Sequence, residues 1–442
     1  MSNTDRREFL KRTGQGTVAA TMLAVGSAVH ARDANDRLVV GVIGPGGMGS
    51  NHVNLLAKNK QIQLAYLCDV DETRLAAAVA TAEKLSGSAP KAVKDMRRVL
   101  DDKSVDAVWI ATPDHWHGPA TILACDAGKH VYVEKPCAHN IREGRLMIEA
   151  ARRTKRVVQV GTQSRSTAHV RQAMEKLHGG AIGDVLVSKA WNSQRRGSIG
   201  RAKPSDPPST LDYDLWLGPA PEVPYQSNLL PGIWRWWHNF GAGDMGNDGV
   251  HDIDIACWGL GVDTHPSSVV ALGGKYFFDD DQQFPDTQYV VFEYPGDGKV
   301  GHRRQLIFEQ RIWSPYVQEG YENGNAFYGT QGMMILGKRG GYKIFGPRNK
   351  LIEEVTTGEP DLAAHHQDFM DCVRSGGRSH ADIEINHRSS ALCHLGNIAT
   401  RVAGPIQFDP QSERITNNPD AASLVRRKYR EGHWAVPRGV EA

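Results

Sequence analysis

The sequence predicts an α/β Rossmann fold, a doubly wound parallel sheet, followed by an α+β domain with a mostly antiparallel open sheet. Three observations carry that expectation. Between Arg37 and about residue 165, short β-branched runs alternate with longer helical patterns, as in a parallel sheet covered on both faces. A glycine-rich turn, GPGGMG at 44–49, joins the first strand to the first helix. Beyond about residue 166 the strand-like runs follow one another directly or through long irregular segments, which favours antiparallel pairing.

Taken in order, RLVVGVIG (37–44) is the first strand and residues 47–58 are the first helix. IQLAYLCD (62–69) is the second strand, and DETRLAAAVATAEKL is the second helix, with Asp71 as its cap. DMRRVLDD reads as a short helix and VDAVWIAT (105–112) as an apolar strand. GPATILACDAG is a helix closed by glycine, and HVYVEKP (130–136) is the next strand. NIREGRLMIEAARRTK is an amphipathic helix, and RVVQVGTQSR (156–165) ends the series. A helix, AHVRQAMEKLHGG, then leads to the runs GDVLVSKAWNSQ, SSVVALGGKYF, QYVVFEY, RRQLIFEQRIW and MMILGKRGGYKIF. DLAAHHQDFMDCVRSGG and INHRSSALCHLGNIATRV are two late helices. Residues 197–240, rich in Pro, Gly and Trp, read as a long surface insertion. The expected organisation is a signal over 1–31, a dinucleotide-binding domain over 36–165 and a substrate and oligomerisation domain over 166–442.

A chain of 442 residues is too long for one small core, in keeping with two domains. The formal net charge is +2, and residues 1–31 hold that excess: Arg6, Arg7, Lys11 and Arg12 against Asp5 and Glu8. No basic field remains to hold nucleic acid or an anionic membrane. The same segment places paired arginines before Phe9-Leu10-Lys11. An apolar run from about Val18 to Val29 follows, with small residues at Ala28 and Ala31 for cleavage. This order is that of a twin-arginine export signal, so the twin-arginine translocase is an expected partner and the periplasm an expected location. The run is too short to span a membrane. Six cysteines without a C-x-x-C pair read as buried thiols, as suits a protein folded before export.

Chemistry gathers at the strand ends. Gly44, Gly46, Gly47, Met48 and Gly49 form the turn that lets a backbone approach a pyrophosphate at a helix N-terminus. Asp69 ends the second strand, where a carboxylate accepts both ribose hydroxyls and repels a 2′-phosphate. The expected cofactor is therefore NAD, with NADP disfavoured. Thr112, Pro113 and His117 follow one strand, and Glu134 and Lys135 follow the next, all at carboxyl ends where ligands collect. Gln163 and Arg165 close the last strand, with Arg165 reaching cofactor or substrate, or else solvent. A lysine held beside a cationic cofactor has its pKa lowered and can move protons. His117 is read as fixing its loop. No His, Cys or carboxylate cluster has the spacing of a metal site, so no metal is expected.

These motifs resemble the Gfo/Idh/MocA oxidoreductases: GPGGMG, the strand ending in Asp69, ATPDHWH (111–117) and above all Glu134-Lys135-Pro136. The resemblance implies hydride transfer at a secondary alcohol of a sugar or cyclitol. It casts Lys135 as proton shuttle and His251 as the base or acid facing the substrate. It also implies an Asp four residues before His251, where this chain has Asn247. Asn can orient a hydroxyl but takes no proton. Asp248, on the same helical face, is the nearest substitute carboxylate, or alternatively a helix cap. Trp234, Trp236 and Trp237 either stack on sugar rings, Trp236 foremost, or pack beneath the insertion.

Export of a NAD enzyme favours a cofactor carried inside and restored within each turnover. That allows two schemes on a sugar or glycoside: coupled oxidation and reduction of two substrates, or transient oxidation that lets a glycosidic bond be eliminated and the ketone be reduced again. A nucleotide-binding partner protein without catalysis is the reading from another class. The open antiparallel face leads to an expected homo-oligomer.

Overall fold

The computed structural model describes residues 37–314 and 316–441. The expected export signal lies outside the described residues. The first sheet consists of β1 (Leu38–Ile43), β2 (Ile62–Cys68), β3 (Lys91–Val93), β4 (Ala107–Ile110), β5 (His130–Val133) and β6 (Val158–Val160). They are parallel and run in the order β3-β2-β1-β4-β5-β6. The order reverses between β1 and β4, which opens a crevice at their carboxyl ends. β4 is buried along its whole length, as expected for a strand covered on both faces. The edge strand β3 escapes the sequence reading because it is three residues long and has one hydrophobic side chain of size, Val93.

The intervening helices are α1 (Met48–Lys58), α2 (Glu72–Ser86), α3 (Arg97–Asp101), α4 (Asp114–Asp126) and α5 (Ile141–Thr154). Asp71 caps α2 by accepting from the Thr73 and Arg74 N–H groups. One boundary differs from the sequence reading. α4 starts at Asp114, four residues before GPATILACDAG, and carries Pro119 inside it. Proline cannot donate to the carbonyl four residues back, which is that of His115. Arg427 fills the gap: its Nη2 donates to the His115 carbonyl at 2.7 Å. A distant arginine thus allows a helix that local propensity opposes.

After α6 (Ala168–His178) come β7 (Val185–Asn192), the short α7 (Tyr213–Leu217) and α8 (Val250–Leu260). The second sheet continues with β8 (Ser268–Gly274), β9 (Thr287–Tyr294), β10 (Arg304–Arg311), β11 (Asn323–Gly329), β12 (Met333–Gly337), β13 (Tyr342–Gly346) and β14 (Lys350–Val355). α9 (Leu362–Ser375), α10 (Ile383–Val402), β15 (Ile406–Asp409), β16 (Arg414–Ile415) and α11 (Pro419–Ser423) complete the chain. The ten strands run β14-β13-β12-β11-β7-β10-β9-β8-β15-β16. Every pair is antiparallel except β7 with β10. MMILGKRGGYKIF, read as one run, is the hairpin β12–β13.

α8 and α10 cover one face of this sheet with a core that includes Ile253, Phe292, Phe308, Phe327 and Leu395. On the strands, Val270, Leu272, Tyr289 and Tyr328 remain exposed. All six cysteines are buried and unpaired.

Residues 197–240 are more than a surface insertion. They build a small core of Trp216, Leu217, Ala220, Leu229, Trp234 and Phe240. This core docks on the first sheet at the start of α2. The Glu72 N–H donates to the Thr210 carbonyl at 3.0 Å, and the Asp212 N–H donates to the Val70 carbonyl at 2.9 Å.

Candidate functional site

A cavity of about 560 Å³ lies at the carboxyl ends of β1, β2, β4 and β5 and is walled on its far side by the insertion. Gly44, Gly46, Gly47, Met48, Asp69, Thr112, Pro113, His117, Glu134 and Lys135 line it, opposite Leu211, Trp216, Tyr225, Trp234 and Arg235. Gly49 sits behind the loop. A β-carbon there would come within 2.0 Å of the Gly44 carbonyl oxygen, so glycine lets the helix start close to the turn. Arg74, which the sequence reading passed over, lies across Gly46 and lines the same cavity.

The residues present fit a dinucleotide. The loop keeps backbone amides and a helix N-terminus open to phosphate. Thr112 Oγ1 is buried without a hydrogen-bond partner and belongs to the cavity wall. Asp69 accepts from the Asp71 N–H at 2.9 Å, and burial pushes its carboxyl up to about 6. The chain therefore carries an NAD-binding Rossmann fold, with Asp69 lining the cavity just after β2.

His117 ties two of these strand ends together, its ring nitrogens 2.7 Å from the Pro136 carbonyl and 2.9 Å from that of Thr112. Glu134 lines the cavity with its carboxylate already engaged by protein groups. Its Oε1 lies 3.1 Å from His52 Nε2 and 3.2 Å from Gln163 Nε2, and its Oε2 accepts from the Lys135 N–H. Against burial, which alone would raise it, these donors and the Lys135 charge hold the Glu134 carboxyl at about 2. Gln163 thus stands behind Glu134, also touching the Tyr132 hydroxyl.

Lys135 is the focus of the site. Its Nζ donates to the Asn247 backbone carbonyl at 2.5 Å, which joins the two sheets' contributions. Burial lowers its pKa, and the Glu134 and Asp248 carboxylates oppose the shift. The stretch 241–254 begins α8 by an unexpected route: Met245–Gly249 forms a π-helical turn that runs into α8. The α-helical face assumed from the sequence is thus a wider turn. Gly246 and Gly249 accommodate it, since β-carbons there would press on Ala242 and Phe308.

Asn247 now has a physical explanation. Its Oδ1 accepts from Arg235 Nε at 2.8 Å and its Nδ2 donates to Asp244 Oδ1 at 3.1 Å. An amide can do both, whereas a carboxylate cannot donate. His251 follows at the start of α8, half-buried, its ring without a hydrogen bond to another described residue. Burial, with Lys135 and Lys338 nearby, pushes its pKa down to about 3. It is a neutral imidazole at pH 7.

Three sequence-selected residues are placed elsewhere. Arg165 neither lines the cavity nor faces solvent. It makes a buried bidentate pair with Asp254 at 2.7 and 2.8 Å and lies 4.9 Å from the Trp258 ring centre. Asp248 is held by Arg196 and Lys338, each at 2.8 Å, and Lys338 foremost keeps its carboxyl below the usual range against burial. Trp236 is buried off the cavity, and Trp234 stands in the wall with Arg235 4.4 Å from its ring centre.

Arg235, Asp114, Arg196 and Lys338 were not read from the sequence, whereas Asp244 was read as a carboxylate near His251. Asp114 is inside ATPDHWH and Arg235 inside IWRWW, so their motifs offered a signal. Arg196 and Lys338 come from strand ends far away in the chain and offered none.

Comparison with known proteins agrees with this geometry. Residues 38–162 match the oxidoreductase family with an NAD-binding Rossmann fold, Gfo/Idh/MocA. Residues 185–304 and 316–436 match that family's C-terminal alpha/beta domain. Inositol 2-dehydrogenase 2 of Saccharopolyspora erythraea is 30% identical over 388 residues, covering 84% of this chain and 96% of that protein. A glycosyl hydrolase family 109 protein of Shewanella putrefaciens is 26% identical over 211 residues, covering 43% of this chain and 46% of the relative, so the match spans about half of its length. The solved structure of levoglucosan dehydrogenase with NADH superposes with a TM-score of 0.64 at 20% identity, covering 84% of this chain and 99% of that one. The chain belongs to the Gfo/Idh/MocA oxidoreductase family.

Proposed function

We propose that this protein oxidises a secondary hydroxyl of a sugar or glycoside, with the hydride passing to NAD held in the cavity. The observation that carries the reading is Lys135: half-buried, in the cavity wall at the end of β5, lowered in pKa, and held to the carbonyl of Asn247 one turn before His251. When bound, NAD supplies the hydride acceptor. Lys135 Nζ takes the hydroxyl proton, and neutral His251 orients that hydroxyl or accepts from it. Asn247 holds Arg235 and Asp244 in place, and through its carbonyl it also holds Nζ.

The insertion supports a cofactor retained through turnover, because its hydrogen bonds to Val70 and Glu72 close the wall of the cavity over the Asp69 end. That favours a cycle in which NADH is returned to NAD before release. Cleavage of a glycoside through a transient ketone is the second form of this cycle, and likeness to a glycosyl hydrolase family 109 protein favours it. A non-catalytic nucleotide-binding role is disfavoured by the presence of Lys135 and His251.

Export belongs to the same proposal and rests on Arg6-Arg7 and the apolar run after them. Periplasmic recovery of a tagged chain, lost on replacing both arginines by lysine, is its test. The exposed strand residues Leu272, Tyr289 and Tyr328 support a homo-oligomer, which a light-scattering mass decides.

The enzymatic test uses purified protein with NAD and, in turn, myo-inositol, levoglucosan and aryl glycosides. The NADH absorbance band is expected with at least one of them, or, for the retained-cofactor cycle, sugar-dependent reduction of NAD that survives dialysis. Lys135→Met should abolish either signal. Signal retained in that variant removes Lys135 from the mechanism, and cofactor lost on dialysis removes the retained-cofactor cycle.

A further inference from the structure

Asp114, a charged residue in the cavity wall, has no part in the reading above. Asp114 opens α4 and is 3% exposed. Its carboxyl faces the Ala242 N–H, and no other hydrogen bond or ion pair joins its side chain to a described residue. The other carboxylates around the cavity are committed. Asp71 caps α2, Asp69 accepts from the Asp71 N–H, and Glu134 is bound by His52 and Gln163. Asp114 is the cavity carboxylate at the Lys135 end that none of these contacts occupies.

Resting on the proposed oxidation, we infer that Asp114 is the proton-accepting partner of Lys135, supplying from α4 the carboxylate that Asn247 does not provide. The groups that act on Asp114 are known. Arg235 from the insertion and Lys135 from the end of β5 favour its anion, and Glu134 opposes it. Burial outweighs them and pushes the carboxyl up to about 7, so it exchanges a proton near neutrality. In turn, the Asp114 anion supports the charge on Lys135.

The proton count closes. At rest Nζ and the carboxylate together carry one acidic proton, and with no direct hydrogen bond between the two groups it passes by way of water admitted to the cavity. The substrate O–H bond breaks and its proton joins Nζ. With NAD bound, the cofactor would supply the acceptor for the hydride of the same carbon's C–H bond, leaving a C=O bond in place of the C–O bond. The pair then holds two protons, as ammonium and carboxylic acid, and returns one to water. Arg235, with Nε on Asn247 and Nη1 on the Gly232 carbonyl, keeps Asp114 within reach of the anion state.

The test uses the full-length protein at rest and needs no substrate. Infrared difference spectra between about pH 5 and pH 9 should show a protonated-carboxyl C=O band that titrates near neutrality. The Asp114 component of that band should be absent in Asp114→Asn, leaving the raised Asp69 and Asp252 carboxyls, and should be present, shifted, in Asp114→Glu. Acetic anhydride labelling of Lys135, read by peptide mass spectrometry at about pH 8, should rise in Asp114→Asn, because loss of the anion removes a charge that favours the ammonium form. A band unchanged in Asp114→Asn, or Lys135 labelling unaltered by it, overturns the inference. Should Asp114→Asn not fold, the same two readings on Asp114→Glu decide, since a carboxyl moved by one methylene must move both. Failure of the oxidation reading would show separately, as no NADH from any sugar with this titration intact.

Discussion

Replacing Asn247 by Asp restores the residue that the family resemblance implies at this position, and the structure predicts that it harms the protein. The Oδ1 atom of Asn247 accepts from Arg235 at 2.8 Å, and a carboxylate keeps that bond. The Nδ2 atom donates to Asp244 at 3.1 Å, and a carboxylate turns that bond into contact between two anions. With an effective dielectric constant of about 20, unit charges about 3 Å apart interact by about 5 kcal/mol, so attraction to Arg235 and repulsion from Asp244 nearly cancel. What remains is the lost hydrogen bond to a charged acceptor, about 1.5–3 kcal/mol. Asp244 cannot turn away, because Asn192 and Arg196 hold it in a fully buried position. The new carboxyl regains the donor only when protonated, so its folded pKa lies above the unfolded value of about 3.9. A carboxyl raised in the folded state costs stability above the unfolded pKa and costs little below it. Urea midpoints should therefore match those of the parent near pH 4 and fall short by about 2 kcal/mol at pH 8. A variant as stable as the parent at pH 8 would refute this account of the position.

Other substitutions probe other parts of the site. Gly49→Ala should remove NAD binding by calorimetry at concentrations that saturate the parent, since its β-carbon would lie 2.0 Å from the Gly44 carbonyl oxygen. Arg165→Leu should lower stability by about 3–5 kcal/mol, as it strands the buried Asp254 carboxylate, while a change confined to the sugar KM would show that Arg165 meets substrate. Glu413 accepts from His265, His387 and Arg145, which hold its carboxyl below the usual range against burial. Its contribution is complete above the unfolded glutamate pKa of about 4.3 and fades as pH falls below that value. Glu413→Gln should thus cost about 3 kcal/mol at pH 7 and less near pH 3, and an equal cost at both would contradict the pairing.

The parallel sheet was legible because its signals are local. Buried strands are continuous apolar runs, the glycines mark the first turn, and Asp69 ends the second strand. Lys135 and His251 were legible through motifs. The remainder depends on contacts that no window of sequence contains. The carbonyl of His115 needs Arg427 before α4 can include Pro119, so the helix start was read too late. β11 and β14 are polar or glycine-rich and become strands only through their neighbours. Arg165, read as reaching cofactor, substrate or solvent, and Asp248, read as a substitute carboxylate or helix cap, are instead fixed by Asp254 and by Arg196 and Lys338, partners that no window of sequence contains. Asn247 looked like a lost aspartate until Asp244 and Arg235 were placed on either side of it.

The central claim is hydride transfer from a sugar carbon to NAD at Lys135. Its most direct measurement is incubation of the protein with NAD and myo-inositol or levoglucosan deuterated at every ring C–H, with mass analysis of the nicotinamide. The account predicts deuterium in the reduced cofactor with the parent and none with Lys135→Met. Reduced cofactor without deuterium, or deuterium transfer undiminished in the Lys135 variant, would contradict it.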